Sequence, residues 1–244
     1  MIILTNVTKK FKDKVAVNGV SFCAKSGVIT GLVGSNGSGK STTMRMIATL
    51  LAPTEGSISV NGVDALKNPQ EARKHIGILL GGDVSLYDRL TARENILYFA
   101  ELQGMNKQDA EKRLLELSEL LGMNDFLGRK VAGFSRGMRQ KVAFARSIIH
   151  DPDILLLDEP STGLDINAIK DVQDFILYCK KKGKTILLST HNAHEMDKLC
   201  DNIVFIDNGN VIAQGGKDEL LKSKGCDSVA DLFFRYAERG HVNA

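Results

Sequence analysis

The sequence predicts an α/β fold whose strand–helix core is interrupted by a block of helices, and three observations carry that prediction. Apolar runs of strand length alternate with helical stripes at both ends of the chain. A glycine-rich turn over residues 34–39 joins a β-rich run to a helix. From about residue 90 to 150 only helical spacing repeats, a stretch of roughly sixty residues and longer than an ordinary crossover. With 244 residues, 43% of them hydrophobic, the chain can bury a sizeable core without disulfide or metal staples.

Taken in order, residues 2–7 and 15–22 read as strands, and 28–33 as a β-rich run ending at Gly34. A helix follows with Met44, Ile47, Leu50 and Leu51 on one face, stopped by Pro53. Residues 58–60 form a short strand before the turn pair Asn61-Gly62. Residues 71–75 are helical and 76–80 make a further apolar strand. In the helical block, Ala110, Leu114, Leu117 and Leu121 recur at helical spacing, with Gly122 where a C-terminal cap belongs. Met138, Val142, Ala145 and Ile149 make a second stripe that Pro152 ends. Strands then return at 154–157 and 185–189, separated by a helix marked by Ile169, Val172, Ile176 and Cys179. That helix closes on Lys180-Lys181-Lys182-Gly183, cations suited to a last turn and then a capping glycine. Residues 203–206 and 211–213 flank the hairpin pair Asn208-Gly209. From Lys217 the tail is helical, with Val229, Leu232, Phe233 and Tyr236 on one face.

Composition excludes several classes. A net charge of +3 and a pI near 8.6 give no concentrated basic face, so nucleic acid is not an expected partner. Cys23, Cys179, Cys200 and Cys226 lie far apart and form neither a zinc pattern nor a secreted disulfide framework. The first residues carry no signal-peptide pattern. Nowhere do 18 apolar residues run uninterrupted, so no segment is expected to span a bilayer. If this chain drives anything across a membrane, another chain must supply the passage.

Gly34-Ser35-Asn36-Gly37-Ser38-Gly39-Lys40-Ser41 fits G-x-x-x-x-G-K-[ST] in full, between a strand and a helix as that motif requires. Glycines let successive N–H groups point inward at phosphate oxygens, and the helix N-terminus adds positive potential. Lys40 is then the expected contact to the β- and γ-phosphates, and the Ser41 hydroxyl a ligand of Mg²⁺. A glycine-rich βα turn with no ligand is the plainer alternative, and the Lys-Ser ending argues against it. A second signal is the apolar run 154–157 followed by Asp158 and Glu159. A buried parallel strand delivers such carboxylates to the edge where open α/β sheets bind ligands. Asp158 is the expected Mg²⁺ holder, through water, and Glu159 the group that polarises the attacking water.

Five further stretches, in order, resemble the ABC (ATP-binding cassette) ATPase family. Phe134-Ser135-Arg136-Gly137-Met138 with Arg139-Gln140 is similar to the signature motif, and Ser161-Thr162-Gly163-Leu164-Asp165 to the D-loop. Thr190-His191 resembles the switch histidine, Phe11 falls where the family stacks an aromatic on adenine, and residues 87–96 resemble the segment after the Q-loop. The likeness covers the chain to about Gly215. It implies a P-loop NTPase (RecA-like) core with an antiparallel β-subdomain and an inserted α-helical subdomain. On that organisation residues 1–215 are the ATPase domain, with the helical insertion at about 83–150, and 216–244 a C-terminal helical tail. The nucleotide-binding set it implies is Phe11, Gly34, Ser35, Asn36, Gly37, Ser38, Gly39, Lys40, Ser41 and Thr42. Ser135, Gly137 and Asp165 join that set from the signature and D-loop. Glu159, His191 and Lys40 would carry catalysis, with ATP and Mg²⁺ as cofactors. In the family the signature meets ATP held by a second subunit, so the resemblance also implies a head-to-tail dimer and a separate membrane permease at the cytoplasmic face of the cell membrane.

Two departures stand out. Arg136 replaces a signature glycine, a cation at a helix start that is unfavourable unless an anion or partner is near. Gly81 or Gly82 occupies the Q-loop glutamine's place, with Asp83 as a weak substitute. The Gly-Gly-Asp stretch, residues 87–96 and the FSRGM form together resemble ATPases of sodium-extruding (NatA-type) and related ABC-2 exporters. The alternative is a soluble ABC ATPase serving a non-transport assembly, such as the iron–sulfur assembly type.

Overall fold

The computed structural model describes residues 1–80 and 86–241. The strands and helices in chain order are β1 (Ile2–Phe11), β2 (Lys14–Ala24), β3 (Ile29–Val33), α1 (Lys40–Ile47), β4 (Glu55–Val60), β5 (Val63–Asp64), α2 (Pro69–Lys74) and β6 (Ile76–Leu79). Then come α3 (Ala92–Leu102), α4 (Lys107–Leu120), α5 (Arg136–Ile148), β7 (Ile154–Asp158), α6 (Ile166–Lys181), β8 (Thr185–Ser189) and α7 (Ala193–Leu199). The chain closes with β9 (Asn202–Asp207), β10 (Asn210–Gly216), α8 (Lys217–Lys224) and α9 (Val229–His241). The Gly81, Gly82 and Asp83 stretch lies outside the described residues.

Two sheets result. One is antiparallel, in the order β2-β1-β4-β5; the other runs β10-β9-β3-β8-β7-β6. In the second, β3, β6, β7, β8 and β9 are parallel and only β10 returns antiparallel, through the Asn208-Gly209 turn. All five residues of β3, of β7 and of β8 are buried, as expected of strands covered on both faces. Removing Leu155, Leu156 and Leu157 from water contributes about 1.5–3 kcal/mol per side chain. Their register sets the chemistry: Asp158 pairs with Ser189, so the acidic end of β7 and the last residue of β8 come level.

One prediction needs correction. The helix after the glycine turn ends at Ile47 and does not run on toward Pro53. Thr49 takes a left-handed conformation (φ 59°), and the N–H groups of Thr49 and Leu50 turn back to the carbonyls of Met46 and Arg45. This is a Schellman closure made without glycine. Leu50, which spacing places on one face with Met44 and Ile47, is exposed while those two are buried.

α3, α4 and α5 form the helical block. Its core holds Ile96, Leu114, Leu117, Leu121 and Val142, and it merges with one face of the parallel sheet. The tail packs on that same core: Val229 and Leu232 are buried, and Tyr236 lies 5.2 Å from the ring of Phe205 on β9.

Candidate functional site

The glycine turn follows β3 and opens into α1, whose N-cap is Gly39 at φ 109°. Two of its glycines are dictated by space. A Cβ at Gly34 would sit 2.1 Å from the Ile206 carbonyl oxygen, and one at Gly39 would sit 2.6 Å from that of Ala16. The cradle is therefore pressed between β2 and the β9–β10 hairpin, and the Gly209 N–H donates to the Ser38 carbonyl (2.9 Å). Gly39 provides no side-chain cap, which leaves the first-turn amides of α1 free for an external anion.

Lys40 is 6% exposed, and its Nζ donates to the carbonyls of Gly34 (2.7 Å) and Ser35 (2.9 Å). Burial pushes its ammonium below the ordinary lysine range, while the nearby carboxylates of Glu159 and Asp158 act in the opposite direction. Asp158 is buried and accepts a hydrogen bond from the Ser189 hydroxyl. Glu159 adopts φ 49°, a left-handed conformation that costs a non-glycine residue about 1–3 kcal/mol. Its N–H donates to the Ser189 carbonyl (2.9 Å), its Oε1 lies 3.1 Å from His191 Nδ1, and its Oε2 accepts from the Thr162 hydroxyl (3.2 Å). The strained backbone turns the carboxylate off the end of β7 toward the cradle.

Two adjoining cavities result. One, of about 320 Å³, is lined by Phe11, Lys14, Asn36, Lys40, Ser41 and Glu159 among others, with Gly37, Gly39 and Thr42 also on its wall. The other, of about 470 Å³, is lined by Gly34, Ser35, Asn36, Glu159 and His191 on one side and by Met196, Val229, Phe233 and Phe234 on the other. Asn36 and Glu159 line both. Phe11 is 45% exposed rather than core, and Lys9 Nζ lies over its ring, 5.1 Å from the centre. Ser38 is buried, and among the described residues its hydroxyl has no partner.

Ser135, Gly137 and Asp165 form a second cluster that lines neither cavity. Ser135 is the N-cap of α5 and accepts from the Met138 N–H (3.3 Å); Asp165 caps α6 by accepting from the Ala168 N–H (2.9 Å). A Cβ at Gly137 would meet that of Ala168 at 3.1 Å, so α5 and α6 start in close contact. The exposed Arg136 guanidinium lies over Gly163, where a Cβ would be 2.2 Å from Nη1. Gln140 Nε2 donates to the Pro160 carbonyl (2.8 Å), tying α5 to the segment after Glu159.

Sequence reasoning missed Ser189, Lys14, Glu195 and the tail residues on the second cavity. Only Ser189 had a readable signal, as the last polar residue of an apolar run parallel to β7. Lys14 and Glu195 follow the expected Phe11 and His191 within four residues but carry no motif, and the tail residues are brought close only by the fold. Among the described residues no group of three or more His, Cys, Asp or Glu is arranged to hold a metal, and no helix is long and apolar enough to cross a membrane.

Comparison with known proteins agrees with this fold. The ABC transporter family profile matches residues 17–162. The chain is 45% identical to the ABC transporter ATP-binding protein NatA of Bacillus subtilis (strain 168), over 98% of this chain and 99% of that protein. It is 38% identical to a Nod factor export ATP-binding protein I of Burkholderia orbicola, over 92% of this chain and 74% of that one. Among solved structures, an ATP-binding subunit of an ABC transporter superposes with a TM-score of 0.89 at 30% identity, covering 97% of this chain and 99% of its own. A dimeric ATP-binding cassette in a post-hydrolysis state, bound to ADP and Pi, superposes at 0.79 and 27% identity, covering 88% and 98%. The chain thus belongs to the ABC transporter family, as an ATP-binding subunit that hydrolyses ATP.

Proposed function

We propose that two copies of this chain, or this chain and a paired subunit, close head to tail around two ATP molecules and so drive a separate membrane permease of the ABC-2 export type. The observation that carries this reading is the convergence of Phe11, Lys40, Ser41 and Glu159 on one cavity, with His191 bonded to the same Glu159. Adenine stacks on Phe11, and the phosphates lie along the amides of residues 35–42. Lys40 Nζ exchanges the carbonyls of Gly34 and Ser35 for β- and γ-phosphate oxygens. Glu159 accepts the proton of the attacking water as the new O–P bond forms and the bond to the β-phosphate oxygen breaks. His191 orients that carboxylate and faces the γ-phosphate.

The donor set fits Mg²⁺. One hydroxyl (Ser41) and one carboxylate (Asp158) suit an ion that keeps waters and takes its remaining ligands from phosphates, and no all-protein cage is needed. When bound, the ion neutralises charge on the phosphate oxygens.

Ser135, the N–H groups at Gly137 and Asp165 complete the site of the facing copy. The names of the relatives, which speak of Nod factor export and of daunorubicin/doxorubicin resistance, favour export over a non-transport assembly. Location at the cytoplasmic face of the cell membrane, through the permease, follows from the same reading. The direct test is Glu159→Gln: nucleotide binding persists while hydrolysis falls about 10²–10⁴-fold. Near-normal hydrolysis by this variant would remove Glu159 as the base. Co-purification with a multi-span membrane protein tests the transport role.

A further inference from the structure

We infer that Glu195 is a positioning residue for hydrolysis, which acts by accepting the Ser161 hydroxyl and so holds the segments carrying Glu159 and His191 at one spacing. The inference rests on the reading that Glu159 and His191 serve the reaction.

Glu195 lies on α7 and is 1% exposed, yet among the described residues no cation pairs with it. A buried carboxylate without a cation is costly, so packing alone does not account for an acid here. Its Oε1 accepts a hydrogen bond from Ser161 Oγ. Ser161 stands two residues after Glu159, and α7 begins two residues after His191. The same two segments already meet through Glu159 N–H to Ser189 and through the Glu159–His191 contact. The Ser161–Glu195 bond closes these links into a ring.

The ring has a route for transmitting a shift. Asn192, the residue after His191, caps α7 by accepting from the His194 N–H (3.1 Å) and the Glu195 N–H (3.4 Å). Movement of Glu195 therefore moves the cap that adjoins the imidazole. On the other strand of the ring, Thr162 follows Ser161 and donates to Glu159 Oε2. Releasing Ser161 thus loosens both partners of the Glu159–His191 pair, and a displacement near 1 Å at such a pair can cost about 100-fold in rate.

The experiment measures kcat and KM for ATP, equilibrium binding of a fluorescent ATP analogue, and melting temperature, on the full chain. The variants are Glu195→Ala, Glu195→Gln, Ser161→Ala and the Ser161→Ala/Glu195→Ala pair. Glu195→Ala should lower kcat about 10- to 100-fold with KM and analogue binding within about twofold. Glu195→Gln, whose amide oxygen accepts the same hydroxyl, should recover much of the rate. The pair should be no worse than the poorer single variant, since both remove one bond. Additive losses, no rescue by glutamine, or an effect confined to KM or melting temperature would overturn the assignment. If Glu195→Ala fails to fold, Ser161→Ala alone decides: unchanged kcat rejects the inference. Glu159→Gln, run alongside, separates the two readings. If it hydrolyses normally the site reading fails; if it is inactive while Ser161→Ala and Glu195→Ala are unaffected, only the positioning role fails.

Discussion

The cradle and the signature segment are both helix N-termini, and the chain builds them in opposite ways. α1 starts from a left-handed glycine with no side-chain cap, pressed between β2 and the last hairpin, with a buried lysine in its first turn. α5 starts from Ser135, which caps its own helix, and both Ser135 and the neighbouring Arg136 are exposed. A glycine start leaves amides unmet and waiting for an anion; a serine start satisfies one of them within the chain. The first terminus is thus organised before ligand arrives. On the proposed function, the second serves as a binding element only for the facing copy.

The largest expected effect splits these two regions between chains. Lys40→Ala and Ser135→Arg should each abolish hydrolysis alone, whereas a mixture of the two proteins should recover activity, because a mixed pair joins an intact cradle to an intact signature. A steady-state phosphate-release assay on mixtures at fixed total protein checks this, and a mixture as inactive as its components would mean that both regions serve one chain. Next, Gly39→Ala should destabilise the fold and weaken nucleotide binding, since the new methyl meets the Ala16 carbonyl and the backbone sits at φ 109°. A loss of about 1–3 kcal/mol in a denaturant titration is expected, while Gly128→Ala, in open space, serves as control.

The smallest effect concerns His150, remote from both regions. Burial pushes its imidazole below the ordinary value of 6.5, and among the described residues Nδ1 has no partner. The unfolded chain therefore binds the proton more readily than the native one, so this residue's contribution to stability is full above pH 6.5 and is lost as pH falls below it. Melting curves at pH 7.5 and 5.5 should diverge less for His150→Asn than for the parent.

Much of this was legible in residue order. The parallel strands announce themselves as continuous apolar runs, and the cradle motif fixes its own backbone through two glycines with no room for a side chain. What spacing could not supply was the end of α1, where Thr49 takes a conformation usually left to glycine, so Leu50 kept helical periodicity without a helix. Nor could it supply Glu195. An acid in the first turn of a short helix reads as an ordinary favourable charge, whereas in the fold it is buried and bonded to Ser161.

The order in which the parallel sheet is assembled has a consequence for synthesis. β3 carries the cradle but lies between β8 and β9, and the cradle is held shut by Gly209. Every neighbour of that strand leaves the ribosome more than 150 residues after it does. A nascent chain stalled before β8 therefore holds the cradle residues 34–42 but neither His191 nor either strand that flanks β3. The sheet around the cradle is complete only once the β9–β10 hairpin has been made.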